Sequence, residues 1–149
     1  MMDDALLWDV RAFVYARFAE AARPPTVAET AAHFGLSAVR AVAVYRELHA
    51  RHALYVDLDT TTIRMANPFS AVPTPFRVHA GGRDYWANCA WDALGIPATL
   101  HQDATIAATW ADSGEPATIT VVDGRVTERD AVVHFPLPFR RWYDDQVFT

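Results

Sequence analysis

The stretch Asn67-Pro68-Phe69-Ser70-Ala71-Val72-Pro73-Thr74-Pro75 divides this chain into two parts with different periodicities. Each of its prolines fixes φ and removes a backbone donor, so neither a helix nor a central strand continues across it. A chain of 149 residues is thereby expected to fold as two small units, 1–66 and 76–149, joined by a proline-rich connector at 67–75.

The first part reads as helix, helix, helix, hairpin. Leu6 to Ala21 is rich in alanine and aromatic residues, and Pro24-Pro25 ends it. Thr26 can cap a second helix, with Glu29 completing a capping box and Gly35 suited to the C-terminal turn. Ser37 can cap a third, in which Ala41, Val44, Tyr45 and Leu48 form a core-facing stripe. Residues 54–58 and 61–65 then alternate around Asp59-Thr60 as a β-hairpin. This order resembles a winged helix-turn-helix. The outward face of the third helix offers Arg40, Ala43 and Glu47, a poor set for reading base edges. A net charge of −5, with 13 basic and 18 acidic residues, also argues against nucleic acid as a partner.

Beyond the connector the pattern turns to β, which makes the fold class α+β. Phe76 to His79 and Asp84 to Trp86 flank Gly81-Gly82. A short helix follows Cys89 and is expected to stop at Gly95 and Pro97. Thr105 to Trp110 and Ala117 to Val122 form a second hairpin around 112–116, Ala131 to Phe135 reads as a further strand, and Arg140 to Asp145 as a helical turn.

Cys89 is the sole cysteine, which excludes an intramolecular disulfide framework and suits a reducing compartment. The acidic start Met1-Met2-Asp3-Asp4 lacks the features of a signal peptide, and no apolar run reaches the roughly 18 residues that span a bilayer. A cytoplasmic protein without membrane contact is expected. Asp92 follows Cys89 at helical i, i+3 spacing, which brings the two side chains to one face. A thiol and a carboxylate so placed can share a soft metal, or one can move a proton while the other attacks. The six histidines are scattered without metal-pair spacing, and His134 reads as part of a core strand. Arg140-Arg141 beside Trp142-Tyr143 reads as a solvated turn.

Residues 76–122 resemble the organomercurial (alkylmercury) lyase family. The likeness rests on Tyr85-Trp86-Ala87, then Cys89-x-x-Asp92-x-Leu94, Ile96-Pro97-Ala98, and the turn Ser113-Gly114-Glu115-Pro116 leading into Ala117-Thr118-Ile119-Thr120-Val121. The N-terminal winged-helix-like part agrees with the family's architecture. The resemblance implies that Cys89 is the nucleophile and a metal ligand. It implies that Asp92 shuttles the proton and also touches the metal. A helix N-terminus would favour the thiolate. Tyr85, Trp86, Trp91 and Thr149 are the expected substrate pocket. The family's second catalytic cysteine falls close to Phe148-Thr149, where this sequence has threonine, and a structural cysteine corresponds roughly to Trp110. The apolar run at 147–148 stops at once, and the second thiol is taken as lost.

The function expected is protonolysis of a carbon–mercury bond, or binding of mercury or an organomercurial, impaired by the absent second thiol. No cofactor is implied, since mercury is substrate and product. The partner is a small organomercurial or soft metal ion, and a homodimer is compatible with the sequence. Two other readings are a non-enzymatic, metal- or ligand-responsive winged-helix regulator and a repurposed enzyme acting on a small organic substrate.

Overall fold

The structure, a computed structural model, describes residues 3–146. The chain forms two compact units, Met1–Asn67 and Pro68–Thr149.

In the first unit α1 (Asp4–Ala21) starts at Asp3, whose carboxylate accepts from the Ala5 amide, and ends at Ala22 in the left-handed region. Leu7, Val10, Val14 and Phe18 give it one buried stripe at helical spacing. α2 (Val27–Phe34) has the full capping box, in which the Glu29 amide donates to Thr26 and the Thr26 amide donates to the Glu29 carboxylate. α3 (Ala38–Ala50) is capped by Ser37 and buries Ala41, Val44, Tyr45 and Leu48. Between these helices the Thr30 and Tyr45 hydroxyls share a buried hydrogen bond of 2.6 Å, so neither polar group is left unpaired in the core. An antiparallel hairpin of β1 (Tyr55–Asp57) and β2 (Thr62–Ala66) follows, with Val56, Ile63 and Met65 buried.

The second unit contains β3 (Phe69–Ser70), β4 (Phe76–Ala80), β5 (Arg83–Ala87), α4 (Ala90–Leu100), β6 (Ala104–Thr109), β7 (Pro116–Val122) and β8 (Arg125–Val126). The strands lie in the order β3-β5-β4-β6-β7-β8, antiparallel at every pairing. Gly81 and Gly82 turn the β4–β5 hairpin at φ 55° and 73°, where a side chain would be strained. Alternation sends Val78, Ala80, Tyr85, Ala87, Ala104, Ile106, Ala117 and Val121 to a buried face, which α4 covers over β4, β5 and β6. Arg77, His79, Asp84, Thr105 and Thr118 stand on the exposed face. The α+β class is the observed one. Among the described residues no helix is long and apolar enough to cross a membrane.

The connector 67–75 carries a short strand of its own: Phe69 and Ser70 are 1% and 2% exposed and pair with Ala87 and Trp86. Prolines bracket this short strand rather than interrupt it, and the Thr74 hydroxyl donates to the Ala87 carbonyl. The helix after Cys89 does not stop at Gly95 and Pro97 but runs to Leu100. Burial of Ala93, Ile96 and Pro97 outweighs the local cost of proline. Gly95 fits for a packing reason, because a Cβ there would lie 3.0 Å from the Pro68 Cβ. Residues 131–135 form no strand, and Val132 is 89% exposed. They find no ladder partner among the described residues, whereas the short β8 pairs with β7 instead. The helical turn expected at 140–145 is a short 3₁₀ segment that starts one residue earlier, Phe139–Arg141.

Phe69→Ala separates a core strand from a linker. Urea unfolding should show a loss of about 3–5 kcal/mol, the usual range for truncating a buried phenylalanine. A loss below about 0.5 kcal/mol, as at an unpacked surface site, would show that the segment does not contribute to the core.

Candidate functional site

Strand β5 delivers the chain to Asn88-Cys89, and α4 begins one residue later. Cys89 is the N-cap, extended at φ −144° and ψ 178°, and its side chain makes no capping bond. The sulfur instead donates to Asp92 Oδ2 at 3.5 Å. Asp92 sits in the first turn and is 7% exposed. The structure therefore brings together the two residues that the spacing paired, at the helix end where backbone amides favour negative charge.

Their protonation follows from burial. Withdrawal from water pushes the Cys89 thiol up to about 11, and the nearby Asp92 charge adds to this. The backbone amides of Asp92 and Trp91 lean the other way without prevailing. The expectation of a thiolate stabilised by the helix end is thus corrected: the resting group is the thiol. Burial also lifts the Asp92 carboxyl from 3.8 to about 6, partly opposed by the hydrogen bond from Cys89. Near neutrality the pair is a thiol donating to a carboxylate, a proton already placed between sulfur and oxygen.

Of the four expected pocket residues, three lie among the described ones. Tyr85 is 3% exposed and packs on Phe69, with ring centroids 5.6 Å apart, as part of the core. Trp86, its neighbour on β5, belongs to the opposite face by strand alternation. Trp91 is 58% exposed, and its ring meets Phe135 at 6.1 Å. Phe135 stacks on Trp142 at 5.1 Å, and Phe139 meets Trp142 edge-on at 5.0 Å. Thr149 lies outside the described residues. On the other side of Cys89, Asn88 Nδ2 donates to the Gln146 carbonyl at 3.1 Å. The stretch 135–146 is thus tied to the start of α4 on both sides of the thiol.

For soft-metal binding, Cys89 and Asp92 supply one sulfur and one oxygen donor. The described residues contain no group of three or more histidine, cysteine, aspartate or glutamate side chains able to hold a metal ion. Arg141 pairs with Asp144 at 3.1 Å.

Sequence reasoning missed a cavity of about 350 Å³, lined by Phe76, Ala90, Ala93, Leu94, Ile106 and Trp110 and walled on one side by residues 131–134. The available signal was the small pair Ala90 and Ala93 on one face of the helix that Cys89 opens.

The raised Asp92 pKa makes a stability prediction. The folded state holds this proton more tightly than the unfolded chain, so the stabilisation is complete below about pH 3.8 and is lost as pH rises through about 6. Above that, the buried carboxylate costs on the order of 3 kcal/mol, at roughly 1.4 kcal/mol per tenfold in proton affinity. Asp92→Asn should therefore be more stable than wild type at about pH 8, and the advantage should shrink as acid protonates the wild-type group. Unfolding curves across this range check it; an offset that does not vary with pH would contradict the assignment.

The family model "MerB: Alkylmercury lyase" matches residues 69–149, which include Cys89 and Asp92. No curated protein matches the chain. Among solved structures, the fold is similar to that of the mercury-bound form of MerB2, with 24% identity and a TM-score of 0.66. That match covers 85% of this chain, which spans 60% of the length of the MerB2 chain. On the family match over more than half its length, this chain belongs to the alkylmercury lyase family.

Proposed function

We propose that the protein captures organomercurials on Cys89 and cleaves their carbon–mercury bond, with Asp92 carrying the proton. The observation that supports this most directly is the 3.5 Å contact from the Cys89 sulfur to Asp92 Oδ2 at a site withdrawn from water.

The chemistry follows from the resting protonation. An organomercury cation, R–Hg⁺, arrives with a displaceable ligand. As the Cys89 sulfur bonds to mercury and that ligand departs, the thiol proton passes to the Asp92 carboxylate, giving R–Hg–S and a neutral acid. The soft metal favours sulfur strongly enough to overcome a thiol pKa of about 11, which a hard electrophile would not do. Asp92, now protonated, returns the proton to the carbon bonded to mercury. The C–Hg bonding pair becomes the C–H bond of R–H, leaving Hg²⁺ on the Cys89 thiolate and Asp92 ionised again. A carboxyl titrating near 6 suits both halves of this exchange, since it is neither too weak a base nor too weak an acid near neutrality.

Mercury(II) is held best by two sulfur ligands. Cys89 is the only cysteine in this sequence, and Met65 belongs to the other unit. A small thiol from solution is the proposed second ligand, and it carries the product away.

The test is hydrocarbon release in the presence of excess thiol: methane from methylmercury and benzene from phenylmercury, measured by gas chromatography. Cys89→Ser should abolish both capture and release. Asp92→Asn should still capture mercury but release hydrocarbon roughly 10²–10⁴-fold more slowly, the usual contribution of a positioned acid–base group. If the wild-type protein captures mercurials yet releases no hydrocarbon in excess thiol, lyase activity must be abandoned in favour of binding alone.

A further inference from the structure

We infer that residues 135–146 form a strap latched beside Cys89 by Asn88 and Trp91, and that this latch sorts by size the electrophiles that reach the sulfur. The inference needs Cys89 as the reacting group but does not need the electrophile to be a mercurial.

The latch has two points. Asn88 Nδ2 donates to the Gln146 carbonyl at 3.1 Å, and the Trp91 ring meets Phe135 at 6.1 Å. Asn88 and Trp91 are three residues apart, so their Cα atoms lie within roughly 11 Å of each other, with Cys89 between them in the chain. The strap reaches both points because it is folded on itself. Trp142 is its hub: the ring stacks on Phe135 at 5.1 Å, Phe139 meets it edge-on at 5.0 Å, and its Nε1 donates to the Leu137 carbonyl at 3.0 Å. The 3₁₀ turn Phe139–Arg141 and the Arg141–Asp144 pair at 3.1 Å complete the loop. A loop packed by its own side chains keeps its shape when it is displaced.

Burial makes the latch selective. Cys89 is half-buried, whereas its partner Asp92 is 7% exposed. A small reagent can meet a half-buried sulfur with the strap in place; a large one needs the strap displaced. Displacement is within easy reach. Residues 127–138 belong to no helix or strand, and Phe139 and Tyr143 are 68% and 49% exposed. A segment with so little buried apolar area opens at far lower free energy than the sheet and helix beneath it. One hydrogen bond and one ring contact at the start of α4 therefore set how often the sulfur is fully uncovered.

The experiment compares alkylation of Cys89, the only cysteine, by iodoacetamide and by its bulky fluorescein conjugate at one pH. The reacting group is the same, so the acidity of the thiol cancels in the ratio of rates, and a free small thiol gives the ratio without a strap. Relative to that thiol, wild type should disfavour the conjugate by roughly 10–1,000-fold, the reciprocal of an open population of 0.1–10%. Asn88→Ala and Phe135→Ala each remove one latch point and leave the net charge unchanged. Each should speed the conjugate by roughly fivefold, the effect of one lost hydrogen bond or ring pair on an opening equilibrium, and leave the iodoacetamide rate unchanged. Phe135→Trp keeps a ring and should keep the wild-type ratio; Phe135→Ala also serves should Asn88→Ala fail to fold. A wild-type ratio equal to that of the free thiol, or one that neither alanine variant changes, would overturn the strap. Equal acceleration of both reagents would overturn it as well, since general loosening is not a size filter. Failure of Cys89 to capture methylmercury, with the size filter intact, would sink the mercury reading and leave the strap standing.

Discussion

Asp92 is a carboxylate taken almost entirely out of water and hydrogen-bonded to a thiol rather than to a guanidinium. Most buried acids are stabilised by an opposite charge, and that stabilisation makes them inert. Here the compensation comes from the end of a helix and a weak sulfur donor, too little to hold the carboxyl at its ordinary acidity. The second unit is arranged so that this imbalance can exist. The antiparallel sheet provides the buried face, α4 lies across it, and β5 ends two residues before the thiol. Gly95 lets the helix sit close against Pro68, and the uninterrupted run to Leu100 gives it enough apolar contact to hold its first turn inward.

Local signals made much of this legible in the amino-acid order. Thr26 with Glu29, Ser37, Gly35 and the stripe Ala41-Val44-Tyr45-Leu48 each act within one or two turns, so their structural meaning is contained in the sequence itself. The Cys89–Asp92 pairing was legible for the same reason. What escaped depended on distant partners. Phe69-Ser70 becomes a strand because Ala87 and Trp86 lie alongside it, and the helix passes through Pro97 because the sheet rewards its burial. Conversely, 131–135 has the alternation of a strand but no neighbour to pair with among the described residues. Protonation was misread for a related cause. A helix end is visible in sequence, whereas the desolvation that outweighs it is not.

The aromatic residues around the motif show the same division. Aromatic residues flanking the motif drew attention to Tyr85, Trp86 and Trp91, yet strand alternation sends the first two to opposite faces, and Trp91 meets Phe135 at the surface. The concavity is made by small residues, Ala90 and Ala93, whose contribution is the volume they leave open.

The raised pKa of Cys89 also bears on how long the protein survives in a cell. Oxidation by peroxide proceeds through the thiolate, and a group titrating near 11 presents that form in roughly one molecule in ten thousand at neutral pH. Cys89 is the only cysteine among these 149 residues, so none of the others offers a thiol to resolve a sulfenic acid formed here. On the proposed reading, burial of the thiol also slows its oxidation between encounters with a soft electrophile.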